Sequence, residues 1–288
     1  MSDRIMKWPD NAKIALSVVV NVEEGAEGSI LDGDKGMEPV DELGVFVKGP
    51  LRNFGNESNY RYGIKAGFPR VARLLDKYDI KATWTACALA VERAPQIGDY
   101  IRDRGHEACS HGYRWQAQHR MDEDAEREYI RKAVTSLEKT TGTRPYGWLS
   151  RYLHTENTRR LLAEEGFTYH MDDFSDDIPF WEVIDGKPIV IMPYAVDSND
   201  MKFWTDPALT PDQWLKYATD TFDWLYAEGV AGEPKIMSFG LHLRIIGRPG
   251  RIGALEAFFK HVRAHRDVWI ATRHEIAQSF ARQFPAPT

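Results

Sequence analysis

The sequence predicts an α/β fold: a closed or nearly closed (β/α) barrel of seven or eight parallel strands. It is read as one domain over residues 1–288, with a long insertion at about 23–63. Three observations carry this reading. Strand and helix patterns alternate from end to end, which argues for a parallel sheet with helices outside. Several strand segments are continuous apolar runs, as expected of strands covered on both faces. No G-x-G-x-x-G turn follows the first strand, which weakens the case for an open nucleotide-binding sheet.

The elements follow in order. "KIALSVVVNV" (Lys13–Val22) is the first strand, nearly all apolar and β-branched. "KAGFPRVARLLDKYD" (Lys65–Asp79) places Phe68, Val71, Leu74, Leu75 and Tyr78 at helical spacing. "IKATWTACA" (Ile80–Ala88) is a buried strand, and the helix through Gln96–Gly105 stops at a glycine. "HEACS" is the third strand. Met121–Gly142 is a long amphipathic helix with acids early and bases late, which suits the helix dipole. "RPYGWL", "FTYHMD" and "KPIVIMPY" are read as strands, with a helix over Glu156–Gly166 between the first two. Thr210–Gly229 is a helix with Thr as N-cap and Pro at its first position. "KIMSFGLH" (Lys235–His242), a helix over Gly250–His265, the strand "DVWIAT" and the helix "RHEIAQSFARQF" complete the series. Two stretches break the rhythm: the polar, Gly-rich insertion Glu23–Gly63, and an acidic-aromatic loop over Asp172–Gly186. Loops of that length in a compact domain are functional or interfacial. The segment "GVFVKGPLRNFG" within the insertion is an apolar patch read without a helix of its own, expected to cover the barrel mouth or a neighbouring subunit.

Composition narrows the partners. The net charge of −6 comes with no long Lys/Arg run, so neither nucleic acid nor a membrane surface is expected as a partner. Cys87 and Cys109 lie in apolar runs and read as buried thiols in a reducing compartment. The N-terminal segment has no apolar signal region, and no 18-residue apolar stretch occurs anywhere, so a cytoplasmic location is expected.

In such a barrel the reactive groups sit at the carboxyl ends of the strands. "NVEEG" supplies Asn21, Glu23 and Glu24. "SHGYRW" supplies His111, Arg114 and Trp115. "WLSRYLHT" supplies Arg151 and His154, and "HMDD" supplies His170, Asp172 and Asp173. "PYAVDSNDMKFW" supplies Asp197, Asn199 and Asp200, and "GLHLR" supplies His242 and Arg244. Carboxylates, histidines and arginines on one rim are what hydrolysis of an amide-like bond needs: a base for water, an acid for the leaving nitrogen, and cations for an oxyanion. A metal-binding His111 would want a second histidine a few residues on, but position 115 is Trp, which cannot ligate. Asp176 and Asp177 read as turn formers. His106 reads as a residue of the far face, and His119, His261, His265 and His274 as surface residues without a partner in sequence.

The block "KATWTACALAVERAPQIGDYIRDRGHEACSHGYRW" resembles the core of the polysaccharide deacetylase (NodB-homology) family. "NVEEGAEGSILDGD", "SHGYRW", "ENTRRLLAEEGF", "DDIPFW", "SNDMKF" and "GLHLRIIGRPGR" are similar to its branch of metal-independent allantoinases and cyclic imide hydrolases. The likeness runs from about Trp8 to Phe280. It implies a distorted seven- or eight-stranded barrel, hydrolysis of carbon–nitrogen bonds other than peptide bonds, and a homotetramer or other homo-oligomer. Glu23 and Glu24 match the family's paired acids, one a base and one a metal ligand, with Asn21 an alternative match. His111 matches the first metal histidine and Trp115 stands at the second. His242 matches the late histidine that protonates the leaving group, and Arg151 a substrate-side arginine. The catalytic set expected is therefore Glu23, Glu24, His111 and His242, with Arg114, Trp115, Arg151, Asp173, Asn199 and Asp200 binding a small-molecule substrate. No cofactor is expected, or a single divalent metal such as zinc on Glu23 and His111. "SRYLHTENT" and "YHMDDFSDD" depart from the allantoinase pattern. The alternative activity is metal-dependent N-deacetylation of a polysaccharide or peptidoglycan.

Overall fold

A computed structural model describes residues 5–45, 49–194 and 196–287. The strands are β1 (Ile14–Val22), β2 (Ala82–Ala86), β3 (Glu107–Ser110), β4 (Gly147–Trp148), β5 (Tyr169–His170), β6 (Phe180–Ile184), β7 (Lys187–Ile191), β8 (Lys235–His242) and β9 (Val268–Ile270). The helices are α1 (Phe54–Tyr62), α2 (Phe68–Lys77), α3 (Ala88–Arg93), α4 (Pro95–Asp103), α5 (Glu123–Thr141), α6 (Thr158–Glu164), α7 (Pro211–Val230), α8 (Leu243–Ile246), α9 (Pro249–Arg263) and α10 (Arg273–Gln283).

The strands form a single curled sheet in the order β6-β7-β5-β4-β3-β2-β1-β8, with β9 also paired to β1. Every pairing is parallel except β6 with β7. β1 is the axis of the molecule, and all nine of its residues are buried. β8 runs beside it from Ile14↔Lys235 to Asn21↔His242, β2 beside Val18–Val22, and β9 beside Ile14–Leu16. With neighbours on both edges and helices outside, this strand has no solvated face, which is why it reads as an unbroken apolar run.

The sheet is a curled, partly open barrel. β8 and β6 end the ladder, and polar groups bridge the seam between β8 and the chain entering β6 and leaving β7. Ile236 donates its backbone N–H to the Asp177 carbonyl at 2.9 Å, and Ser198 Oγ donates to the Ser238 carbonyl at 2.6 Å. The buried Arg273 guanidinium donates to Ser238 Oγ at 2.5 Å and to the Pro193 carbonyl at 2.7 Å. Buried main-chain oxygens that lack a ladder partner need such donors.

Three expectations change. The Asp172–Gly186 stretch is only partly a loop, because Phe180–Ile184 is β6, which forms an antiparallel hairpin with β7. Asp185 and Gly186 both take positive φ (50° and 75°), the backbone of a two-residue hairpin turn that matches strand twist. The insertion after β1 does carry a helix, α1, whose Asn53 cap accepts from the Asn56 N–H. Of "GVFVKGPLRNFG", Phe46, Val47 and Lys48 lie outside the described residues, while Val45, Leu51 and Phe54 are exposed. Those three exposed side chains are not buried against the barrel.

The insertion is held by four arginines of the barrel, each gripping an acid in it. Arg93 binds Asp32 at 2.6 Å, Arg114 binds Asp34 at 2.5 Å, Arg151 binds Glu38 at 2.5 Å and Arg244 binds Glu42 at 2.8 Å.

Candidate active site

Register delivers the site. Asn21 and His242 are paired across β1 and β8, so Glu23, two residues on, leaves β1 at the level where β8 ends. His111 follows the last residue of β3, and its backbone N–H is held by the Ala86 carbonyl at the end of β2. Glu23 Oε1 then stands 3.5 Å from His111 Nε2 and 3.4 Å from His242 Nε2. All three side chains are buried and line one cavity of about 390 Å³ at the carboxyl ends of the strands.

Each histidine is oriented from behind. His111 Nδ1 lies 2.7 Å from the Leu149 carbonyl, which only accepts, so Nδ1 carries the proton and Nε2 faces Glu23. His242 Nδ1 lies 2.7 Å from Asp200 Oδ1. The other Asp200 oxygen accepts the backbone N–H groups of His242 (2.7 Å) and Ile246 (3.1 Å), which fixes the carboxylate. Burial pushes the His242 pKa down, but the charges of Glu23 and Asp200 and their hydrogen bonds outweigh it and raise it to about 10. Burial pushes Glu23 up, yet the Arg244 guanidinium and then His242 hold it well below 4.5. At neutral pH the pair is therefore a carboxylate facing an imidazolium. Burial first, and then the charge of Glu23, raise Glu24 to about 7 in spite of Arg244.

Glu24 does not reach the cavity. Its carboxylate accepts the backbone N–H groups of Glu23 (3.1 Å) and Arg244 (3.0 Å), under a roof where a Cβ on Gly63 would lie 2.5 Å from it. Glu24 shapes the turn that carries Glu23.

The cation at this centre is Arg244. Its side chain is buried, with Nη1 2.7 Å from Glu23 Oε2 and 3.6 Å from Glu24 Oε1, and Nε 2.8 Å from Glu42. The guanidinium lies 4.4 Å from the Tyr60 ring centre and 5.6 Å from that of Trp115. A deacetylase-type metal does not fit this set. Trp115 offers no ligand atom, Glu24 is engaged by backbone, and a permanent positive charge lies between the two acids. Among the described residues, the one group of three His, Cys, Asp or Glu whose ligand atoms all lie within 4.8 Å of one another is Asp223, His261 and His265. Glu23, His111 and His242 are not so spaced.

The expected substrate contacts divide. Trp115, Arg151 and Asn199 line the cavity. Arg151 stacks 3.9 Å over Trp115, and its Nη atoms are tied to Glu38 and to the Trp115 carbonyl. Arg114 does not line the cavity, because Asp34 and the Glu27 carbonyl take its guanidinium. Asp173 pairs with Arg159 at 3.3 Å, and its neighbour Asp172 faces the cavity instead. Asp200 sits beneath His242. His154 and Asp197 lie outside the lining. Sequence reasoning passed over Tyr152, Phe174, Tyr194 and Lys202, which all line the cavity. Tyr194 OH accepts from Asn21 Nδ2 at 3.2 Å, a position that only the sheet reveals.

Comparison with known proteins bears on the family of the chain. A family model described as polysaccharide deacetylase matches residues 58–170, the segment that contains His111 and Arg151. A protein of Schizosaccharomyces pombe assigned by name to the polysaccharide deacetylases is 36% identical, covering 96% of this chain and 93% of that protein. The peptidoglycan deacetylase of Helicobacter pylori is 25% identical, covering 83% of this chain and 94% of its own. The crystal structure of PuuE allantoinase superposes with a TM-score of 0.92 at 42% identity, covering 97% of this chain and 94% of that one. The chain thus belongs to the polysaccharide deacetylase family, whose members are hydrolases of carbon–nitrogen bonds other than peptide bonds.

Proposed function

We propose that the protein opens a small cyclic amide, ureide or imide by acid–base hydrolysis that needs no metal. The observation that carries this reading is Arg244: a guanidinium, backed by Trp115, occupies the place between the paired acids. The likeness to PuuE allantoinase over nearly the whole chain supports it.

In the proposed reaction, Glu23 Oε1 and His111 Nε2 hold the attacking water, each accepting one of its hydrogens. Arg244, on the far oxygen of Glu23, keeps that carboxylate ionised and aimed. As water adds to the ring carbonyl, its proton passes to Glu23. Imidazolium His242 then donates from Nε2 to the ring nitrogen as the carbon–nitrogen bond breaks, and Asp200 stabilises the cation until that transfer. The cavity is of a size for one small ring, with Trp115, Tyr152, Phe174 and Tyr194 as apolar walls.

A second reading is metal-dependent N-deacetylation of a polysaccharide or peptidoglycan, favoured by the names of the two curated relatives. Hydrolysis of hydantoin, allantoin, succinimide and N-acetylglucosamine oligomers, each with and without chelator, separates the two. Chelator-resistant opening of a ring is the expected outcome. Chelator-sensitive release of acetate would establish the second reading. We further propose a cytoplasmic homo-oligomer. No helix among the described residues is long and apolar enough to cross a membrane, and Leu31, Leu43, Val45, Leu51 and Phe54 of the insertion are exposed.

A further inference from the structure

We infer that Asp223, His261 and His265 form a binding site for one divalent transition metal of the zinc class, at the foot of the barrel and apart from the catalytic centre. His261 on α9 and His265, two residues past its end, are four positions apart and so stand one above the other on the same side. Asp223 faces them from the neighbouring α7, with Oδ1 2.6 Å from His261 Nε2. His265 Nδ1 lies 3.0 Å from the His261 carbonyl, so that nitrogen carries the proton and Nε2 is left bare for a metal. The rings are clamped in place. Buried Phe222 meets His261 at 5.6 Å and His265 at 5.1 Å between ring centres, and Tyr226 meets His265 at 4.8 Å.

Two imidazoles and a carboxylate are the ligands of open zinc sites, in which solvent fills the fourth position. Nitrogen donors select zinc, nickel, cobalt or copper over magnesium and calcium. Asp223 and His261 are 49% and 32% exposed at the side chain, which gives an ion access. The site is remote from catalysis because β9, which begins just after His265, pairs at Ile14, the first residue of β1, whereas Glu23 follows its last. A strand of this length spans on the order of 25 Å. Zinc found in the purified protein would therefore not by itself show that the reaction at the mouth uses a metal.

The test is titration of chelator-stripped full-length protein with zinc by calorimetry and with cobalt by visible absorption. One equivalent is expected to bind. His261→Ala and His265→Ala should each weaken it by about 100-fold or more, since even outer-sphere losses cost 10–100-fold. His111→Ala should leave it unchanged. Circular dichroism checks that each variant is folded, and His265→Gln serves if His265→Ala is not. An absence of zinc binding, or binding that survives both foot variants or disappears in His111→Ala, would overturn the assignment and leave an Asp–His ion pair only.

Discussion

The mouth and the foot of this barrel each bring together two histidines and at least one acid, yet they are suited to different chemistry. At the mouth, the imidazoles flank Glu23 at 3.4 and 3.5 Å, everything is buried, and Arg244 supplies a fixed positive charge. At the foot, the imidazoles of His261 on α9 and His265 just past its end lie 5.0 Å apart between ring centres, and the Asp223–His261 pair is partly in solvent. What differs is where the cation comes from. An internal guanidinium turns a carboxylate and an imidazolium into a base and an acid, because burial plus a fixed charge separates their pKa values. Without it, the same residue types leave room for an ion.

The comparison breaks most sharply at Glu23. Glu23→Gln should lower kcat by about 10²–10⁴-fold for every substrate, since water activation is needed for good and poor leaving groups alike. His242→Ala should be as damaging for poor leaving groups but partly spared for good ones, measured with paired ring substrates.

Arg244→Gln removes the feature that distinguishes the mouth. It leaves Glu23, Glu24 and Glu42 around a buried position with no cation, and breaking a buried pair costs ~3–5 kcal/mol. Thermal unfolding should drop by roughly 10 °C. In folded material, the acidic limb of the rate profile should move to higher pH, because Glu23 loses the charge that depresses its pKa.

Asp200→Asn tests the acid. His242 is raised to about 10 in the folded protein against 6.5 when free. The basic limb of kcat/KM should therefore lie near pH 10 in the native enzyme, and should fall by about one unit or more when Asp200 loses its charge. The same shift bears on stability. The contribution of His242 is fully present below pH 6.5 and is lost as pH rises through about 10, which denaturant titration across that range would show.

The smallest effect belongs to the foot. His261→Ala should leave kcat within about twofold of native, since the residue is remote from the chemistry and surface changes of this kind are near neutral. A large loss of rate would join the two regions and dissolve the contrast.

Sequence made the strands legible because β1 and β8 are long and buried on both faces, and the strand-end rule then pointed to Glu23, His111 and His242. β6 was passed over because its acidic-aromatic surroundings read as loop, although Asp185-Gly186 between "FWEVI" and "KPIVI" carries a hairpin signal. The roles of Arg114 and Arg244 were not legible, since one serves Asp34 and the other Glu23 and Glu42, and only the folded insertion brings those acids within reach. The same holds for the foot. His261 and His265 had no partner in sequence because Asp223 is 38 residues from His261 and meets it only where α7 packs on α9.

The central claim is that the charge driving this hydrolysis is Arg244 and not a metal. The most direct measurement is the ring-opening rate of the His261→Ala/His265→Ala protein after chelator treatment, with residual metal measured on the same sample. The account predicts native-like kcat/KM at less than about a tenth of an equivalent of metal, because neither Trp115 nor Glu24 is free to ligate. Activity that disappears with the metal and returns in proportion to added zinc would contradict it.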